Sequence, residues 1–236
     1  MKPLLTAGWT RLAVATFEAD AQLLTRYLPH RTELNDWNGR YYMSLLGFVF
    51  SKPVIAGIPS PFYRCFPEVN LRFYIRYRNS AGWQNAVVFI KEIAPSPLIG
   101  LAARWLYHEN FISLPMKHHF STDGSQQRIA YYWKIKNEWN HLKLVAAPAP
   151  AEPAPGSLEA FARDHYHACT RSSAQRTHAF RIEHQPWQIY PGRSCSLLLD
   201  AAAVYGKAFG DYFRQPPCSY FSMDGSGTDI SYPSLL

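Results

Sequence analysis

Glu68-Val69-Asn70-Leu71-Arg72-Phe73-Tyr74-Ile75-Arg76-Tyr77-Arg78 is the stretch on which the fold turns. Val69, Leu71, Phe73, Ile75 and Tyr77 share one side of an extended chain. Glu68, Asn70, Arg72, Tyr74, Arg76 and Arg78 share the other. A period of two is the signature of a strand, because successive Cβ atoms point to opposite faces. Asn79-Ser80-Ala81-Gly82 has turn chemistry, and Trp83 to Ile93 reads as the returning strand of a hairpin.

Outward from this hairpin the chain stays rich in strands. Leu12 to Phe17, Arg40 to Phe50, Arg128 to Trp139 and Thr177 to His184 read as strands, and His141 to Val145 continues or pairs with the third of them. Arg40 to Phe50 is expected to end before Pro53 and Gly57. Asp224-Gly225-Ser226-Gly227, between Tyr220–Met223 and Thr228–Tyr232, reads as a hairpin turn. Helices are few: Ala19 to Leu28, stopped by Pro29; Ser157 to His165; and a mixed stretch from Ala201 to Phe213. Ser96 as N-cap and Pro97 at the first position start another. It runs from Leu98 to Glu109, with Leu98, Leu101, Ala102, Trp105 and Leu106 as its apolar stripe. Ala146 to Gly156 is an Ala/Pro run, expected to be a long surface connection within a single domain spanning 1–236. The pattern predicts an α+β, mostly β fold: a closed or partly closed antiparallel barrel with peripheral helices.

The 236 residues carry 24 Lys and Arg against 17 Asp and Glu, a formal charge of +7, with 47% hydrophobic and 15% aromatic residues. That composition excludes a disordered chain. Four scattered cysteines, Cys65, Cys169, Cys195 and Cys218, exclude a disulfide framework and read as reduced thiols. The longest run free of charged residues, Asn79 to Ile90, has 12 residues where a spanning helix needs roughly 20. With no apolar leader after Met1, the expectation is a cytoplasmic protein without a membrane partner. Phosphate-loop, dinucleotide and zinc-protease motifs are absent from the sequence, and no cofactor is expected. The histidine pairs His118-His119 and His165 with His167 lack the further ligands that would complete a metal site, so no metal is expected either. Arg72, Arg76 and Arg78 beside Tyr74 form a basic aromatic face, yet no RNA-binding motif accompanies it and no nucleic-acid partner is expected.

Glu68, Asn70 and Arg72 share one face of the decisive strand. If their face looks into a barrel, they line a cavity in which carboxylate and guanidinium can pair. If it looks outward, they are a solvated strand face. Lys91 beside Glu92 reads as an exposed ion pair at a strand end.

Several separated segments resemble one family in order: Phe66-Pro67-Glu68 through Tyr74, Val88 through Pro95, Tyr107-His108-Glu109-Asn110-Phe111, Leu114-Pro115-Met116-Lys117-His118, Asp164-His165-Tyr166, His184-Gln185-Pro186-Trp187 and Pro217-Cys218-Ser219. They are similar to the YqjF-like proteins, a largely uncharacterised family grouped with the acetoacetate decarboxylase-like superfamily. The resemblance spans roughly Trp9 to Tyr232. It implies a single α+β domain built on a β-barrel with a central cavity. In the decarboxylase a lysine amine forms an iminium with a keto acid, and the two family lysines directly follow a proline. Here Pro115 is followed by Met116 and Lys117. Met116 stands at the nucleophile's position and cannot form a Schiff base, so the resemblance carries the cavity without the decarboxylase chemistry. It assigns the family's pocket glutamate to Glu68 and its N-terminal arginine to Arg11.

The expected function is therefore the binding of a small anionic metabolite, an organic or keto acid, with acid/base work by Glu68 helped by Arg72. Asn70, Met116, His165, His184 and Arg11 are the further ligand-binding candidates. The alternatives are a non-catalytic binding protein on the same fold and a lyase that uses Lys117. The aromatic content covers a dimer interface as readily as it fills a core, so a homo-oligomer stays open.

Overall fold

A computed structural model describes residues 2–60 and 64–236. The chain starts with β1 (Leu5–Glu18), the short helix α1 (Ala21–Thr25), β2 (Thr32–Leu34), β3 (Tyr42–Ile55) and β4 (Ile58–Pro59). The alternating stretch follows as β5 (Cys65–Asn79) and returns as β6 (Gly82–Ala94), paired antiparallel from Val69↔Ile93 to Asn79↔Gly82. Next come α2 (Pro97–Tyr107), β7 (Phe111–Ser113), β8 (Met116–Asp123), β9 (Gln126–Ile135) and β10 (Glu138–Ala146). After the Ala/Pro connection, which touches the sheet at an Ala151↔Ile189 bridge, α3 (Leu158–Arg163), β11 (His167–Ser173), β12 (Arg176–Glu183) and β13 (Ile189–Leu198) follow. The chain finishes with α4 (Ala201–Tyr205), two 3₁₀ turns, β14 (Ser219–Ile230) and β15 (Ser234–Leu235).

Pairing runs β12–β11–β6–β5–β3–β1–β14, and β14 returns to β12 through Ile182↔Ile230 and Glu183↔Asp229, closing a ring of strands. The pairing is largely antiparallel as expected, but β6 pairs parallel with both β11 and β7. Each ring strand sends side chains inward: Trp9, Phe48, Tyr74, Val87, Ala168, Phe180 and Phe221 belong to one buried cluster. The path continues from β14 through β13, β10, β9 and β8, a second sheet. Its Tyr131, Trp133 and Leu142 pack with Leu45, Leu71 and Phe73 on the outer face of the ring. Gly47 makes that packing possible, since a Cβ there would stand 2.5 Å from the Tyr131 ring. Truncating a fully buried aromatic such as Trp133 would cost about 3–5 kcal/mol.

Three local expectations are corrected. β3 runs through Pro53 to Ile55, and the chain reverses only at Ala56-Gly57. The first helix is one turn, not the stretch from Ala19 to Leu28. Asp224 to Gly227 is no hairpin turn, because β14 passes straight through it, paired to β1 from Thr16↔Ser219 to Leu5↔Ile230. Gly225 is there because the two backbones approach closely: its φ is +80°, and a Cβ would lie 1.9 Å from the Trp9 carbonyl oxygen.

Antiparallel neighbours bring the start of β1 beside the end of β3, the start of β5 and the end of β6. α2 packs over this end of the ring. α3 covers the other end, where Leu158 and Ala162 join the inner cluster. Ser96 caps α2 by accepting from the Leu98 amide at 3.2 Å. The stripe expected on α2 is rotated. Ala102 and Leu106 face the ring together with Ile99 and Ala103, Leu98 sits largely exposed at the cavity edge, and Leu101 and Trp105 project into solvent, Trp105 being 78% exposed. Among the described residues, no helix is long and apolar enough to cross a membrane.

Candidate functional site

Under α2 the ring holds a cavity of about 260 Å³. Its walls are apolar, with the rings of Trp9, Phe50, Phe66, Phe89, Phe111 and Phe180 set among aliphatic side chains. Three carboxyl groups interrupt them: Glu68 from β5, Glu92 from β6 and Glu109 from the turn after α2. No Lys, Arg or His is among the described lining residues.

Each glutamate reaches the cavity for a local reason. Glu68 lies on the inward phase of β5 with Phe66 and Asn70, opposite Phe48 of β3. Glu92 depends on an irregularity. Leu71 pairs with Lys91 and Arg72 with Phe89, so Ile90 is an extra residue in β6. Phe89 and Glu92 both line the cavity although three apart, which a regular strand forbids. Glu109 follows His108, whose left-handed backbone (φ 59°) ends α2. The Asn110 side chain then donates to the Ile90 carbonyl at 3.0 Å and its carbonyl accepts from the Glu92 amide at 2.9 Å, tying the turn to β6.

The Glu68 and Glu92 side chains hydrogen-bond to one another. Two carboxyl groups can do so only when they hold at least one proton between them. Burial pushes the Glu68 carboxyl up to about 7, against the opposing effect of Asn70, whose Nδ2 donates to Glu68 Oε1 at 3.3 Å. Burial raises Glu92 well above the ordinary carboxyl range, and the charges of Glu109 and Glu68 add to it. Glu109, half-buried at the cavity, is raised by its apolar surroundings and by Glu68. Glu92 is 3% exposed, and its Oε2 has no hydrogen-bond partner among the described residues. Tyr107 OH and Trp9 Nε1, on two other buried lining residues, have none either.

The other residues singled out in the sequence lie elsewhere. Arg72 is buried inside the ring towards α3, where its Nη2 donates to the Ala162 carbonyl at 3.0 Å. It makes no ion pair with Glu68 among the described residues, because four residues of strand separate the two by about 13 Å. Asn70 bridges part of that gap. His165 packs against Tyr74 and Phe161 at the α3 end, and burial, with the Arg72 charge, lowers its pKa to about 3. His184 stacks on Trp187 at 3.6 Å outside the cavity lining. Met116 packs against the outer core from β8. Lys117, one residue on, points the other way into solvent and lies over Trp139, 4.2 Å from the ring centroid. Arg11 is exposed at a β1 irregularity, its carbonyl accepting from Tyr131 OH at 2.6 Å. Lys91 and Glu92 are not the exposed pair expected. Neighbours on a strand face opposite ways, so Glu92 enters the cavity while Lys91 donates to the Val204 carbonyl on the outer side.

Glu92 and Glu109 are the site residues that sequence reasoning passed over. Both stood in stretches quoted for their resemblance. Glu92 is expected in an exposed ion pair with Lys91 and Glu109 carries no expected role, whereas the extra residue at Ile90 turns Glu92 into the cavity.

The sequence matches the model of the family DUF2071, described as an uncharacterized conserved protein, over residues 6–224. It is 28% identical over 193 residues to the uncharacterized protein YqjF of Bacillus subtilis (strain 168), covering 78% of this chain and 74% of that one. Among solved structures it is similar to acetoacetate decarboxylase from Legionella pneumophila subsp. pneumophila str. Philadelphia 1 (TM-score 0.68, 12% identity, 99% of this chain and 87% of that one). An acetoacetate decarboxylase-like enzyme from Sphingomonas wittichii RW1 gives a TM-score of 0.69 at 11% identity, covering 100% of this chain and 94% of that one. The enduracididine biosynthesis enzyme MppR, complexed with pyruvate, gives 0.64 at 10% identity, over 100% and 91%. At these identities the likeness is one of fold.

Proposed function

We propose that this chain, which belongs to the DUF2071 family of uncharacterized conserved proteins, binds a small, mostly apolar organic molecule in its ring cavity and exchanges a proton with that molecule's polar group through Glu68 and Glu92. The observation that carries the reading is the hydrogen-bonded Glu68–Glu92 pair on the wall of an aromatic cavity of about 260 Å³. A carboxyl held near neutrality serves as acid and base at physiological pH, since neither form is costly to reach. The charge of Glu109 raises Glu92 further, and α2 forms one wall of the cavity. Relatives of the fold include a decarboxylase and an enzyme complexed with pyruvate. A keto acid here would bring its carboxylate against three glutamates with no cation on the described lining, so the geometry argues against the anionic ligand expected from sequence. The position of Lys117, over Trp139 on the second sheet, argues equally against a lyase built on it. Acid/base work assisted by Arg72 loses its support with the pair itself. The same reading keeps the chain in the cytoplasm as a single domain, where its four free cysteines stay reduced.

Two measurements test this. Incubation with pyruvate or acetoacetate followed by borohydride is expected to leave the protein mass unchanged, and an adduct lost in Lys117→Ala would restore the Schiff-base reading. A thermal-shift screen of small organic molecules is expected to find ligands whose stabilisation falls in Glu68→Gln. Ligands that stabilise wild type and Glu68→Gln alike would remove Glu68 from the site.

A further inference from the structure

We propose that the molecule this cavity takes is an organic cation, a compound with a hydrocarbon or aromatic body and one protonated or quaternary nitrogen. This rests on the cavity reading above and names its ligand class. All the ionisable acids of the lining are carboxyls, from Glu68, Glu92 and Glu109, beside the neutral polar groups of Ser60, Tyr107 and Trp9, and no described lining residue is basic. Glu92 Oε2 is the decisive atom. It is a buried acceptor without a partner, on a side chain 3% exposed and facing the cavity. A carboxyl oxygen left without a partner in an apolar site is costly, and an N–H donor or a fixed positive charge, which favours the ionised form, offsets that cost.

The remaining walls point the same way. Aromatic rings of Trp9, Phe50, Phe66, Phe89, Phe111 and Phe180 lie in the lining. Rings attract a cation through their quadrupoles most strongly when water is excluded, and rings together with carboxylates are the usual enclosure for substituted ammonium ions. An inorganic cation fits less well. Among the described residues no group of three or more His, Cys, Asp or Glu is arranged to hold a metal ion, and an aromatic lining suits an organic body. At about 260 Å³ the space is slightly below the usual range of ligand pockets, which begins near ~300 Å³, so the ligand is of metabolite size. Binding carries a proton signature. The titratable groups facing the site are Glu68 of β5, Glu92 of β6, Tyr107 of α2 and Glu109 of the following turn. A bound cation favours their ionised forms, so carboxyl protons leave to buffer as it enters.

Isothermal calorimetry at pH 7 with phenethylamine, 2-phenylethanol and phenylacetate tests the inference. The amine is expected to bind at least tenfold tighter than the alcohol, with phenylacetate weakest. Its apparent enthalpy should change with the ionisation enthalpy of the buffer, reporting proton release. Glu92→Gln, and Glu109→Gln as a milder variant on a half-buried side chain, should each lower amine affinity tenfold or more. Ala102→Phe, which fills the cavity from α2, should abolish it. An amine that binds no tighter than the alcohol, while Ala102→Phe still blocks the alcohol, overturns the cation and leaves the cavity reading standing. Amine binding that survives Ala102→Phe places the cation elsewhere and also overturns the inference. Failure of all three probes to bind folded protein overturns it too, and if no molecule of the thermal-shift screen binds either, the cavity reading falls with it.

Discussion

Glu68→Gln removes one titrating group from the cavity and nearly nothing else. The amide has the shape of the carboxyl, and its oxygen can accept from Asn70 and from the Glu92 hydroxyl as the Glu68 carboxylate does. The consequence is a change in how stability depends on pH. In the folded chain Glu68 titrates at about 7 because burial raises it from an ordinary 4.5. Between those values the native state holds a proton that the unfolded chain has released, so Glu68 makes wild type less stable as pH rises through this window. Taken alone, that penalty is about 1 kcal/mol at pH 5 and about 3 kcal/mol at pH 8, where it has levelled off. Gln pays none of it. Relative to wild type, Glu68→Gln should therefore gain about 2–3 kcal/mol between pH 5 and pH 8. His165 titrates in both proteins and cancels to first order, whereas losing the Glu68 charge also relaxes the upward shifts of Glu92 and Glu109, which adds to the gain at high pH. Urea denaturation of both proteins at half-unit pH steps, with equal m-values, reads the difference directly. A flat difference, or one that favours wild type at high pH, would show that Glu68 ionises like an exposed carboxyl and would refute the reasoning.

His165 has the opposite sign. Its folded pKa of about 3 lies below that of a free imidazole, so its neutral burial stabilises above pH 6.5 and is lost on acidification. The advantage of wild type over His165→Phe should shrink by about 3 kcal/mol from pH 7 to pH 4 by the same denaturation assay. Gly225→Ala combines a positive φ with a Cβ 1.9 Å from a backbone oxygen, and should destabilise by about 2–4 kcal/mol; a loss below 1 kcal/mol would mean that β1 and β14 are farther apart. Trp105→Ser should change stability by no more than about 0.5 kcal/mol, despite removing a tryptophan, because the ring is in solvent. A larger loss would mean that α2 is turned the other way.

Periodicity made the frame readable. Val69 to Tyr77 alternate, the turn residues follow at Asn79 to Gly82, and the observed hairpin has those bounds. Short polar signals were legible too, as in the Ser96 cap with Pro97 behind it. Signals that arise from contact between distant strands could not be read this way. Asp224-Gly225-Ser226-Gly227 has the composition of a turn, yet its glycine answers the close backbone of Trp9, more than two hundred residues away in sequence. On α2 the choice between a stripe through Trp105 and one through Ala103 depends on what the helix covers, and its sequence is apolar on both sides. The site divides along the same line. Glu68 is in phase with its own strand and was found. Glu92, read as half of an exposed ion pair with Lys91, is turned inward by the extra residue at Ile90, and Glu109 depends on a left-handed residue at His108. Arg72 shares a face with Glu68, but sharing a face does not bring side chains together over four residues of strand.

The central claim is that three carboxyl groups in an apolar cavity carry this chain's chemistry. Carbon-detected NMR of protein labelled at the glutamate side-chain carboxyl carbon, titrated from pH 4 to pH 9, tests it most directly. Three glutamate resonances are expected to titrate well above the ordinary range, one of them near 7, each removed by a single change at Glu68, Glu92 or Glu109. Every glutamate titrating between about pH 4 and 5, as free carboxyls do, would contradict it.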